Sequence, residues 1–130
     1  MDTLELGQLC RPAFRKMATR IPLLRCAVLC TPDGFNICSV GLNEYQVGKM
    51  AALSSSMLSV GDATVATLAQ GDAPVSNLDV MTLEAGGLQI VSTKVPRPGG
   101  HLILMACARA PLGVVLVNVK AAVGDLQKLF

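Results

Sequence analysis

Apolar residues recur along this chain with two periods, one near 3.6 and one near 2, and the alternation of the two lays out its elements. Between Leu4 and Arg20, Leu6, Leu9, Phe14 and Met17 stand among polar neighbours at helical spacing. Pro12 falls inside that stretch, so either the regular helix starts there with proline in its first turn or a longer helix is kinked at that point. Arg25–Thr31 and Phe35–Val40 read as strands joined by Pro32-Asp33-Gly34. In that joint the proline presets a type I turn, the aspartate stabilises it and the glycine accepts the positive φ of a bulge position. After a long central helix, Gln70-Gly-Asp-Ala-Pro74 acts as a breaker. Three strand-like runs follow, Leu78–Glu84, Leu88–Val95 and His101–Arg109, separated by Ala85-Gly86-Gly87 and Pro96-Arg-Pro-Gly-Gly100. From Leu112 to Phe130 the helical period returns, with Leu112, Val115, Leu116, Val119, Val123 and Leu126 on one stripe. The order α-β-β-α-β-β-β-α, with two hairpin-type joins, predicts an α/β (α+β) fold on a mainly antiparallel sheet.

The central helix, Glu44–Ala69, is the unusual element. No ionisable residue lies between Lys49 and Asp62. On a 3.6-residue wheel Val47, Met50, Ala51, Ser54, Leu58, Gly61, Val65 and Leu68 form one stripe, and Leu53, Met57 and Val60 widen it sideways. Ala52, Ser55, Ser59, Ala63 and Ala66 cover the remainder, where an ordinary surface helix carries Lys and Glu. A helix with a small, uncharged outer face is expected to pack on its own sheet and also to meet another chain.

At 130 residues the chain is expected to form a single domain over 1–130. With 52% hydrophobic, 15% charged and 3% aromatic residues, its core must be built from Leu, Val, Ala, Met and Cys. A net charge of +2 is too small for a nucleic-acid footprint, and the basic run Arg11, Arg15, Lys16, Arg20 and Arg25 lacks an aromatic platform. The run reads as a solvated face, with an acidic partner as the other reading. No apolar run approaches the roughly 20 residues of a membrane span. The start Met1-Asp2-Thr3-Leu4-Glu5 has no basic leader, so a cytoplasmic location without membrane insertion is expected.

Candidate chemistry is sparse. Five cysteines at irregular positions suit a reducing compartment. On one strand Cys26 and Cys30 would share a face about 13 Å apart, too far for one metal ion or a disulfide, and Cys38 is a candidate for the same face without converging on them. Buried structural thiols are the expected reading, with no metal and no cofactor. His101, the only histidine, would sit about 20 Å from Cys107 along a strand, which rules out a nucleophile–base pair between those two. Asp33 is accounted for by its turn. Gly48-Lys49 resembles the end of a phosphate-binding loop, but the preceding glycine, Gly41, is misplaced and Met50 stands where Ser or Thr is required. Neither a dinucleotide fingerprint nor a nucleophile elbow is present, and no catalytic residue is assigned. A sensor domain for an apolar small molecule is the alternative, with Met50, Met57, Met81, Met105 and the cysteines as a soft lining.

Taken in order, Ala27-Val28-Leu29-Cys30-Thr31-Pro32-Asp33-Gly34, the helix opening Met50-Ala51-Ala52-Leu53, the strand Asn77-Leu78-Asp79-Val80-Met81-Thr82-Leu83-Glu84 and the pair Leu112-Gly113 resemble a roadblock/dynein-light-chain domain of the bacterial type. The resemblance implies a profilin- or longin-like fold, with five strands, the central helix on one face and the terminal helices on the other. It also implies a non-catalytic scaffold or regulator that homodimerises through its third strand and central helix and binds a small Ras-like GTPase. On this basis the dimer interface is expected at Leu53, Met57, Val60, Leu78, Val80 and Thr82, with no lysine guarding the strand edge. Partner contacts are expected at Ser55, Ser59 and Ala66.

Overall fold

A computed structural model of the chain describes residues 2–69 and 78–130. The breaker Gln70–Pro74 lies outside the described residues. Helix α1, Thr3–Arg20, is started by Asp2, whose carboxylate accepts from the Glu5 amide at 2.8 Å. It runs on through Pro12 rather than beginning there. Pro12 is exposed, so the carbonyl freed by the missing N–H can turn to water. Strands β1, Leu24–Cys30, and β2, Asn36–Val40, are joined by the expected turn. There the Gly34 amide donates to the Thr31 carbonyl at 2.9 Å, and Gly34 takes φ 89°. Helix α2, Glu44–Leu68, opens with a reciprocal cap in which Asn43 and Gln46 each accept from the other's amide. Strands β3, Val80–Ala85, β4, Leu88–Arg97, and β5, Gly100–Ala108, and helix α3, Leu112–Gln127, complete the order.

The sheet runs β2-β1-β5-β4-β3, and every pairing is antiparallel. Strands β1 and β5 are central, and each residue from Leu102 to Ala108 is buried. Successive side chains point to opposite faces, so these strands feed two cores at once. Ala27, Leu29, Val91, Val95, Leu102 and Leu104 pack with Leu6, Phe14 and Met17 of α1 and Val115, Val119 and Leu126 of α3. Cys26, Val28, Cys30, Ile103, Met105 and Cys107 pack with Ala51 and Leu58 of α2. The terminal helices thus share one face and the central helix holds the other, the arrangement of a roadblock-type fold.

Cys38 departs from the face assigned to it in sequence. It stands opposite Leu29 in the β1–β2 register and therefore falls in the core under α1, away from Cys26 and Cys30. Its thiol donates to the Gly7 carbonyl at 3.5 Å. The third strand also starts two residues later than the apolar pattern predicts, at Val80, because Leu78 packs beneath α2 instead of pairing in the sheet.

Two glycines let helices pack closely, Gly7 on strand β2 and Gly61 on the Leu78 side chain. A Cβ on Gly7 would lie 2.9 Å from the Ile37 carbonyl oxygen, and one on Gly61 would lie 2.7 Å from a Leu78 methyl. Backbone at β2 cannot yield as a side-chain end can. Alanine ordinarily stabilises a helix interior over glycine by about 1 kcal/mol. Gly48→Ala, with nothing within 4 Å, is expected to raise the unfolding free energy measured in urea accordingly, whereas Gly7→Ala should lower it by about 1–3 kcal/mol through overpacking. Equal shifts for the two variants would refute the close approach of α1 to β2.

Candidate functional site

Helix α2 buries one narrow line, Ala51, Ser54, Leu58 and Gly61, against the sheet. On one flank the β1–β2 turn touches it: Ser55 donates its hydroxyl to the Pro32 carbonyl, and Ala52 lies under Gly34. On the other flank Gly61 meets Leu78 and Met81. Further along, Lys94 of β4 ties down the C-terminal half through a 2.7 Å ion pair with Asp62. What faces solvent is almost without charge. Leu53 and Val60 are 45% and 62% exposed, and half-buried Met57 lies between them at i+4, forming an apolar stripe on the β3 side of the helix. Ser59 and Ala66 are exposed on the outer surface.

Beside that stripe lies a free strand edge. Among the described residues strand β3 pairs only with β4 and ends the sheet. Its alternation sends Met81 toward α2, with Leu83, 41% exposed, on the same side, and Val80 toward the α1–α3 core. Thr82 is exposed. The six positions expected at a dimer contact are therefore divided. Leu53, Val60 and Thr82 are open, Met57 is half-buried, and Leu78 and Val80 are partly used by the protomer's own packing. Leu83, not among those six positions, lies two residues from Met81 on the same face. Among the three expected partner contacts, Ser55 differs from Ser59 and Ala66 in having its hydroxyl engaged within the chain.

The groups able to do chemistry are scattered. Among the described residues no three His, Cys, Asp or Glu side chains come together as a metal cluster. All five cysteines are free and buried. Burial pushes the Cys10, Cys26 and Cys30 thiols up to about 11, and it raises Cys38 and Cys107 as well. Such thiols are protonated near neutral pH and are poor nucleophiles. His101 sits opposite Pro96, at the other end of β5 from Cys107. Burial lowers its pKa, Lys94 adds to that, and Asp62 opposes it. A second feature of the α2 side is an open pocket of about 390 Å³ between the start of α2 and the sheet, lined by Cys26, Leu42, Met50, Ile90 and Cys107 among others. Of the four methionines expected to line a ligand cavity only Met50 reaches it, while Met105 is fully buried in the core. No helix among the described residues is long and apolar enough to cross a membrane.

This architecture, a five-stranded antiparallel sheet between one central and two terminal helices, is that of the roadblock/LC7 fold in its bacterial form. Myxococcus xanthus MglB superposes with a TM-score of 0.79 at 16% identity, over 95% of this chain and 89% of that one. A roadblock/LC7 domain from Streptomyces avermitilis superposes at 0.72 with 22% identity, over 88% and 91% of the two chains. The gliding protein MglB of Thermus thermophilus reaches 0.77 at 15% identity, over 95% and 90%. No family model and no curated protein matches the sequence.

The thiols make a pH signature. Cys10, Cys26 and Cys30 each have a higher pKa folded than unfolded, so their contribution is complete below about pH 9 and is lost as pH rises toward about 11. Under reducing conditions the unfolding free energy from urea titration should fall across that window, by at most about 1.4 kcal/mol per pH unit for each thiol that ionises only on unfolding. Cys30→Ala should flatten the slope by one thiol and cost about 1–3 kcal/mol in packing at pH 7. A slope unchanged by that variant would contradict the burial of Cys30.

Proposed function

We propose that the chain is a non-catalytic regulatory module that homodimerises through β3 and α2 and uses the outer face of the paired helices to bind a small Ras-like GTPase. One observation carries the reading: a nearly uncharged, partly apolar helix surface lies beside a strand edge that is unpaired among the described residues. Pairing β3 with its two-fold mate would satisfy the open backbone groups of that edge and bring two copies of Leu53, Met57, Val60 and Leu83 together. Small residues such as Ser59 and Ala66 on the outer face allow close approach of a partner backbone and lose little side-chain entropy when covered. An MglB with a tetrameric arrangement is among the structures of this fold, which supports assembly as a property the fold accommodates. The choice of a Ras-like GTPase comes from the resemblance of the sequence to roadblock domains, and any nucleotide would belong to that partner.

Val60→Glu, at an exposed position, is expected to weaken self-association at least tenfold, about 1.4 kcal/mol, in sedimentation equilibrium. An unchanged oligomer would remove the α2 stripe from the interface. Ser59→Arg should leave the oligomer intact and abolish capture of a GTPase from a lysate of the source cell. Full capture by Ser59→Arg, or no GTPase captured by the wild type, would count against the outer face as the docking site. Native mass spectrometry separates the sensor reading, since a stoichiometric bound small mass lost on Met50→Lys would assign the 390 Å³ pocket to a ligand instead.

A further inference from the structure

The basic run of the first helix is divided by the fold. Lys16 turns toward α3 and pairs with Asp125 at 3.6 Å. Arg11 and Arg15 turn the other way, and neither takes part in an ion pair among the described residues. They line an open groove of about 520 Å³ between α1 and β2, with Phe14, Ile37 and Cys38 in its apolar floor. Both guanidiniums are close enough to the Cys38 thiol to oppose the rise that burial imposes on its pKa. Among the described residues no acidic side chain lines the groove.

The groove follows a second free strand edge. Among the described residues strand β2 pairs only with β1 and ends the sheet on the side opposite β3. In an antiparallel pair about half the backbone groups of an edge strand point away from the partner; α1 covers the Ile37 carbonyl at Gly7, and the groove runs along the rest of β2. At its start the Asn36 side-chain oxygen is buried without a hydrogen-bond partner. Neither a lysine nor a proline occupies Asn36–Val40 to discourage pairing.

From this geometry we infer that the β2–α1 groove is a docking site for an extended acidic segment of another protein, added to the sheet edge as a sixth strand. Spacing favours this occupant. Arg11 and Arg15 are one helical turn apart, about 6 Å along the axis. Same-face side chains of an extended strand, two positions apart, are separated by about 6.6 Å. Two carboxylates in an acid-x-acid pattern therefore match the two guanidiniums, while main-chain hydrogen bonds to β2 supply the remaining contacts. Because the groove lies at the far edge and on the other face from α2, it stays open whether or not β3 and α2 are covered. The module would then hold two partners at once.

The test uses purified full-length protein and two fluorescent peptides of one composition. Acetyl-Thr-Glu-Val-Glu-Val-Thr-amide places both acids on one strand face, and acetyl-Thr-Glu-Glu-Val-Val-Thr-amide does not. The alternating peptide should bind at least about tenfold more tightly in anisotropy titrations and should slow amide hydrogen exchange at Asn36–Val40. Arg11→Glu/Arg15→Glu should remove at least about tenfold of that affinity, while Lys120→Glu/Lys128→Glu, an equal change in net charge on α3 and its C-cap, should leave it within about threefold. Arg11→Gln/Arg15→Gln gives the same comparison without charge reversal. Equal binding of the two peptides, no binding of either, or equal loss with the α3 variant would overturn the inference. So would a smaller oligomer for Arg11→Glu/Arg15→Glu in sedimentation, which would give this edge to a second copy of the chain.

Discussion

Everything in this molecule hangs on two central strands that are buried on both sides. Strands β1 and β5 alternate between the core under α1 and α3 and the core under α2, and β5 has no exposed side chain from Leu102 to Ala108. A sheet with one solvated face would need only one layer of helix. Two apolar faces require cover on both, so the long crossover helix must lie opposite the terminal pair. The near-absence of aromatic residues shapes the same constraint: Leu, Val, Ala, Met and Cys fill thin layers, and glycines at 7 and 61 let the helices come close.

Unequal cover of the two faces explains where interaction surfaces remain. Helices α1 and α3 together seal one face with Phe14, Met17, Val115 and Leu126. A single helix, α2, spans the other through a narrow line of Ala51, Ser54, Leu58 and Gly61, leaving apolar Leu53, Val60 and Leu83 outside. A monomer gains nothing from those exposed positions, whereas a dimer can bury them. The open edges at β3 and β2 differ in the same spirit. The first carries Met81, Thr82, Leu83 and one charged residue, Glu84, whereas the second is bordered by Arg11 and Arg15.

The cysteines show how burial separates composition from chemistry. Cys26 and Cys107 are cross-strand neighbours and both line the pocket by α2, yet burial keeps both protonated. Cys30 donates to the Ala51 carbonyl at 3.6 Å, and Cys38 donates to Gly7 across the other face. Small polarizable groups of this kind suit thin cores in which a helix backbone lies close to a strand.

The element order was legible in the sequence alone, because a period of 2 or 3.6 and a Pro-Asp-Gly turn are local signals that neighbouring residues impose on one another. The uncharged face of α2 was equally legible, since the absence of Lys and Glu between Lys49 and Asp62 needs no structure to be seen. Tertiary packing alone decided which face each side chain took. Cys38 went under α1 through the β1–β2 register, and Leu78 left its strand to pack on Gly61. The Ser55 hydroxyl was drawn to Pro32, and the basic run was divided between Asp125 and the open groove at β2. These outcomes depend on residues distant in the chain that meet only after the sheet has closed, and a one-residue change in strand register reverses them.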